Sequence, residues 1–347
     1  MAKVTIRHVA EAAGVAVKTV SRVMNDEPNV TRDVRERVMR AVEALGYVPS
    51  MAARRMGGRR SYLLVALNDR ENTINNWRSG RGNDWIDQML HGAMLACEAQ
   101  GYRLLFELVS AEAKDLDRRV MAILSALQPD GIILTPPHSQ NLALVEMLGR
   151  RNLPVVRMGV RAEGVAYGVY MNDRAAAEKA VEHLLELGHQ RIGFIEGSPR
   201  FEASRQRLEG YKSALTRSGH AIDDALIVPG DFTFESGVVA AERLLALSPP
   251  PTAILASNDE MALATLHVAS RLGLRVPELS LVSFDDTPGV RLSVPGLTSI
   301  RQPISEMAGR AAELLIEASR TGEHAPHDEE LPFRLEVRGS TAPRVQG

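Results

Sequence analysis

The sequence predicts a two-part protein: a small all-α helix-turn-helix head followed by a large α/β body of two doubly wound parallel-sheet subdomains. Three observations lead there. Within residues 1–60 a helical apolar period is broken by a single turn glycine. That segment carries a net charge of +6, whereas the remainder carries −8. From Tyr62 onward, short apolar runs alternate with helical patterns, the rhythm of strand-helix units.

The first helix begins behind Thr5, a residue suited to the N-cap, and places Ile6, Val9, Ala10 and Ala13 on one face. Gly14 closes it, since only glycine takes the left-handed conformation without a Cβ penalty. A second helix follows, whose Val20 and Val23 pack on Ala10 and Ala13 while Val17, Lys18 and Arg22 point outward. Lys18 and Arg22, spaced by about one turn, can enter a major groove together, with Val17 placed to touch a thymine methyl. Thr19 and Ser21 are candidates for phosphate contacts, and Asn25 and Asn29, just beyond the helix, join the expected DNA-facing set. A third helix is expected from Asp33 to Leu45 behind a Thr31 cap, with Val34, Val38, Ala41, Val42 and Leu45 as its buried stripe.

In the body, strands are expected at 62–67, 104–108, 131–134, 155–158, 192–195, 253–256 and 279–284. Helices are expected at 85–100, 115–127, 174–187, 205–218, 236–247, 259–272 and 304–321. These are too many units for one sheet, and two sheets place a cleft at the carboxyl ends of their strands. Polar and aromatic residues just after strands are therefore the candidates for a ligand site.

Residues 5–56 resemble the LacI/GalR family of bacterial transcription repressors through Val9-Ala10, Ala13-Gly14-Val15, Thr19-Val20-Ser21-Arg22-Val23 and Gly46-Tyr47-x-Pro49. By that resemblance, Ser50 to Met56 is the hinge helix that folds on operator DNA. Met56 then stands at the lever position where leucine is usual, Ala53 lets two hinge helices approach, and Arg54 seeks phosphate. The physics suits the role: seven residues are a marginal helix alone, and an apolar wedge unstacks a base step and bends the duplex. Ala16, His8 and Met56 depart from the family's common serine, aspartate and leucine.

The body resembles the same family's effector domain, similar to periplasmic sugar-binding proteins, across His183-Leu184, Gly188-His189-x-Arg191-Ile192, Arg207-Leu208-Glu209-Gly210-Tyr211, Ala256-Ser257-Asn258-Asp259-Glu260 and Ser283-Phe284-Asp285-Asp286. The resemblance implies that Arg207, Asn258 and Asp285 clamp ligand hydroxyls, with Phe232 and Trp85 stacking on an apolar ring face. Sugars offer hydroxyls around patches of CH, so bidentate polar groups read the rim and aromatics cover the face.

Residues 69–84 are longer than the family's usual first crossover and are expected as a loop over the cleft mouth. Two readings stay open for it, ligand contact through residues such as Asn83 or an exposed insertion. His138 follows a strand and Arg157 lies on one, so both are placed facing the cleft, where an arginine suits an acidic ligand. Asn172 falls where many relatives carry aspartate, and the missing carboxylate points to a uronate or other acidic sugar.

No phosphate loop, no Gly-x-Gly-x-x-Gly after a strand, no Gly-x-Ser-x-Gly and no zinc-spaced histidine pair is present, so neither catalysis nor a cofactor or metal is expected. The single Cys97 excludes an intrachain disulfide. With no membrane span or signal pattern, a cytoplasmic location is expected. The divisions read as residues 1–48 for the DNA-binding domain, 49–60 for hinge helix and linker, and 61–347 for effector binding and dimerisation. The last splits into subdomains of about 61–170 with 300–330, and about 171–299 with 331–347. A homodimer on a palindromic operator, released by a small sugar-like effector, is the expected working form. Two other readings remain: a sugar-binding transport component, and a regulator acting with a corepressor or partner protein.

Overall fold

The computed structural model describes residues 4–24, 29–47, 60–322 and 324–344. The head holds α1 (Ile6–Ala13), α2 (Val17–Met24) and α3 (Arg32–Leu45). Gly14 is left-handed at φ 63°, and its turn lets Val15 donate back to the Ala10 carbonyl at 3.0 Å. Val9, Val20 and Val38, one from each helix, are fully buried and join the three around one small core with Ala10, Ala13, Val23, Ala41 and Tyr47. Thr31 occupies the start of α3, but its side chain makes no capping bond.

The body carries two six-stranded sheets. The first is made of β1 (Leu63–Asp69), β2 (Arg103–Val109), β3 (Gly131–Leu134), β4 (Val155–Met158), β5 (Ala166–Tyr170) and β11 (Asp328–Glu330), in the order β11-β5-β4-β3-β1-β2 and wholly parallel. The second is made of β6 (Ile192–Ile195), β7 (Ile227–Val228), β8 (Ala253–Ala256), β9 (Ser280–Asp285), β10 (Thr298–Arg301) and β12 (Arg334–Glu336), in the order β12-β10-β9-β8-β6-β7. Only its edge strand β12 runs antiparallel, against β10. The central strands are buried on both faces, as parallel sheets covered by helices must be.

Among the described residues, the helices that accompany the two sheets are α4 (Arg70–Ser79), α5 (Asp84–Ala99), α6 (Leu116–Leu127), α7 (Leu142–Gly149), α8 (Asp173–Glu186), α9 (Glu202–Arg217), α10 (Phe234–Leu245), α11 (Asp259–Arg271), α12 (Pro288–Leu292) and α13 (Ile304–Thr321). The chain passes between the sheets three times, at 171–172, 302–303 and 331–333. Residues 300 and 301 lie on β10, so the return to the first sheet comes after Arg301 rather than at 300. The second sheet's β10 and β12, the first sheet's β5 and β11, and the short β7 were absent from the expected strands. In β5 the reason is local: Gly168 interrupts the apolar run, and its missing side chain lets the chain of residues 161 and 162 lie against it.

The expected loop over 69–84 is a helix for most of its length. Asp69 caps α4 by accepting from the Asn72 amide at 3.2 Å, Thr73 is buried, and Trp77 lies 6.2 Å from the Phe106 ring. Asparagines and a threonine leave no apolar stripe to read, and tertiary contact supplies what propensity lacks. No helix among the described residues is long and apolar enough to cross a membrane.

α5 and α13 cross so closely that a Cβ on Gly92 would sit 1.8 Å from the Ser305 carbonyl oxygen. Gly92→Ala should therefore lower stability by about 1 to 3 kcal/mol. At a roomy helix position the same change stabilises by up to about 1 kcal/mol. Chemical unfolding of the full chain decides the sign.

Candidate functional site

The carboxyl ends of both sheets face a cavity of about 470 Å³, within the range of small-molecule sites. Its wall is built from residues that end strands or follow them: Asn68 and Asp69 from β1, Thr135 after β3, Met171 after β5, Ser198 after β6, Phe232 after β7, Asn258 after β8 and Asp285 from β9. Residue position relative to strand ends, which local composition does not encode, thus selects the wall.

Arg207 reaches the floor from α9 and is 4% exposed. Its guanidinium pairs with Asp173 at 2.7 Å, donates to the Ser257 carbonyl and lies 4.2 Å over the Phe284 ring. Asp285 lies on the same wall, adopts φ 106° and accepts a hydrogen bond from Gln302. Burial raises its carboxyl to about 7, with Arg207 and the Gln302 bond pulling the other way. Burial also raises Asp259, aided by the charge of Asp285. Hydroxyls of Ser283 and Ser299 and the Thr287 amide hold the Asp259 carboxyl at 2.6, 3.2 and 2.6 Å.

Phe232 supplies an aromatic wall with Phe201, their rings edge to face at 5.6 Å. Its backbone is left-handed at φ 74°, a strained state held by Asn258, whose Nδ2 donates to the Phe232 carbonyl at 2.8 Å. The same Asn258 caps α11 by accepting from Met261 at 3.0 Å. A side chain on Gly197 would meet the Phe232 ring at 2.2 Å, so that glycine is needed for the aromatic to lie where it does. Trp85, partly buried on the first subdomain's core, completes the aromatic lining.

Of the nine residues expected around an effector, Trp85, Arg207, Phe232, Asn258 and Asp285 line the cavity. The other four are corrected. Asn172 caps α8, its Oδ1 accepting from Ala175 at 3.0 Å, and the carboxylate thought to be missing is supplied one residue later by Asp173. Arg157 is buried behind the wall, spending its donors on the carbonyls of Ser139 and Arg161 at 2.6 and 2.9 Å and on Glu163 at 3.4 Å. His138 is wholly buried against the Val109 carbonyl, and burial depresses its imidazole. Asn83 lies between the lining residues Gly82 and Asp84 without joining the wall.

Sequence reasoning missed Asn68, Asp69, Asp173, Arg200, Phe201 and Gln302 among the lining residues. Arg200 and Phe201 follow β6 closely, and a search limited to residues after strands had the signal to find them. Gln302 could not be found that way, because β10 itself was not expected.

In the head, Val17 is 42% exposed, Lys18 and Asn29 are exposed, and Thr19, Ser21 and Arg22 are partly covered on α2. Thr5 precedes α1 and its amide donates to His8 Nδ1 at 3.1 Å, so His8 takes the reciprocal position of a capping box. Asn25, Ala53, Arg54 and Met56 lie outside the described residues.

Two family models match the chain: bacterial regulatory proteins of the lacI family over residues 5–50, and a periplasmic binding protein-like domain over residues 181–341. The HTH-type transcriptional regulator CelR of Thermobifida fusca is 34% identical over 321 residues, covering 90% of this chain and 91% of its own. Among solved structures, a complex of transcriptional regulator CelR with cellobiose is 30% identical, covers 97% of this chain and 100% of its own, and superposes with a TM-score of 0.72. A lac repressor dimer bound to operator and the anti-inducer ONPF is 26% identical, covers 98% and 100%, and gives a TM-score of 0.78.

The raised Asp285 carboxyl has a pH consequence. An unfolded aspartate titrates near about 3.9, so its stabilising proton is fully present below about pH 4 and lost as pH rises through about 7. The unfolding free energy of the wild type minus that of Asp285→Asn should fall between about pH 4 and 7 and level off above. A flat difference across that window would remove the burial argument.

Proposed function

The chain belongs to the LacI family of bacterial regulatory proteins, transcriptional regulators and not enzymes, and from that premise we propose that it is a dimeric repressor of carbohydrate-utilisation genes released by a neutral sugar. The observation carrying this reading is one chain that joins a helix-turn-helix, with Val17 and Lys18 exposed on α2, to a cleft walled by aromatic and polar side chains. Lys18, Arg22 and Val17 read bases while Thr5, Thr19, Ser21, Asn25 and Asn29 steady the phosphates. To Met56 falls the apolar wedge at the central step, with Ala53 and Arg54 as its companions in DNA binding, roles carried by the family resemblance alone.

In the cleft, Arg207, Asn258 and Asp285 take ligand hydroxyls, with Asp173 and Gln302 holding two of them in place. Phe232 and Trp85 cover the ring face. An acidic sugar fits poorly: Arg157, which motivated it, is engaged elsewhere, and the wall bears seven carboxylates against two arginines. The relative solved with cellobiose makes that disaccharide a reasoned first probe.

Genomic DNA fragments selected by the full-length protein at fixed salt test the reading. The expected result is a palindrome with a central CG step, enriched by the wild type, lost with Met56→Ala, and depleted when a neutral-sugar panel including cellobiose is added. Asp285→Asn, a change of nearly equal volume on the cavity wall, should keep the selected palindrome and weaken the sugar response. No enrichment of any palindrome would reject the repressor assignment, and enrichment that no neutral sugar relieves would reject the effector assignment.

A further inference from the structure

The turn at 80–83 between α4 and α5 reaches across the cleft. Arg81 belongs to the first subdomain, yet its guanidinium pairs with Glu235, lies 3.9 Å from the Glu260 carboxylate and sits 5.0 Å over the Phe234 ring. All three partners are on α10 and α11, which pack with the second sheet. The neighbouring Gly82 amide donates to Glu260 at 3.2 Å. The turn is itself braced, because Asn76 Nδ2 donates to the Gly82 carbonyl at 2.7 Å and both Gly80 and Gly82 are left-handed at φ 69°.

A reciprocal arm crosses at the other lip. Arg200, from the second subdomain, pairs with Asp69 at 3.3 Å and Glu112 at 3.0 Å. Gln140 of the first subdomain donates to the Arg200 carbonyl at 2.9 Å and accepts from the Glu202 amide at 2.6 Å. Both arms join protein to protein, and Arg81 is not among the lining residues of the cavity.

We propose that the α4–α5 turn is a strap and Arg81 its positioning residue: by holding Glu235 and Glu260 it keeps the cleft shut from the protein's own side. An exposed ion pair alone contributes little. Here one guanidinium has two carboxylates and a ring face, and a backbone amide of the next residue shares one of those carboxylates, so the contacts break together when the lips part. Closure then reflects the sum of strap and bound sugar, and a weaker strap demands more sugar for the same response. That last consequence rests on the cleft being the effector site; the strap itself does not.

Hydrogen exchange of the full chain, read by mass spectrometry with no sugar added, tests the strap on both lips. Arg81→Glu should speed exchange several-fold in residues 80–86 and, across the cleft, in 232–238, while α7 at 142–149 stays at the wild-type rate. The charge swap Arg81→Glu with Glu235→Arg should restore both lips part of the way, since the carboxylate at 81 still faces Glu260, and about 1 M salt, where screening reaches roughly 3 Å, should reproduce the single variant in the wild type. Unchanged exchange in 232–238, an equal rise in 142–149, or no recovery in the swap would each overturn the strap. A failure of every sugar to relieve DNA binding would leave these exchange results as they stand, so the two readings fail separately.

Discussion

Arg207 is nearly sealed from solvent, and a guanidinium so placed is stable only while its charge and donors are matched. Its partners come from three separate stretches of chain. Asp173 opens α8 directly after the first crossing between sheets, the Ser257 carbonyl follows β8, and the Phe284 ring belongs to β9. Satisfying one cation therefore fixes the crossing, the strand ends and the cleft floor relative to each other. The neighbouring wall follows from it: Ser257 precedes the Asn258 that caps α11 and holds Phe232, and Phe284 precedes the Asp285 that Gln302 approaches from the second crossing.

Most carboxylates on that wall are already engaged by the protein itself. Asp173, Asp69 and Glu260 have guanidinium partners in Arg207, Arg200 and Arg81. Asp259 is surrounded by two hydroxyls and an amide, donors that serve the helix start rather than a ligand. Asp285 accepts from the Gln302 amide and lies on the cavity wall, where a hydroxyl brought into the cavity can reach its remaining lone pairs. The two arms at the lips use the same chemistry with less covered arginines, Arg81 at 45% and Arg200 at 32% exposure against 4% for Arg207, so water can take over their charge when the lips part.

Legibility in the sequence followed how local each signal was. The head was read nearly whole, because Gly14 and the apolar residues of α1 and α2 act over a few residues. β3, β4, β6 and β8 matched their apolar runs, whereas β10, β11 and β12 did not, since Thr298–Arg301, Asp328–Glu330 and Arg334–Glu336 are polar and made strands by the partners beside them. At the site, a one-residue offset separated the expected Asn172 from the cavity-lining Asp173: the first caps a helix and the second turns toward Arg207. Arg157 and His138 were placed in the cleft from strand position alone, and packing put both behind its wall.

Periodicity, turn residues and charge asymmetry, all properties of neighbouring residues, determined by themselves that this chain is a basic helix-turn-helix head on a two-sheet body, and family motifs named five of the cavity's lining residues. Which groups share a cavity, which arginine is spent inside the wall and which turn straps the lips were decided only by the tertiary structure. Those depend on contacts such as Arg207 with Asp173 and Arg81 with Glu235, joined across 34 and 154 residues of chain, and no local pattern carries the distance between them.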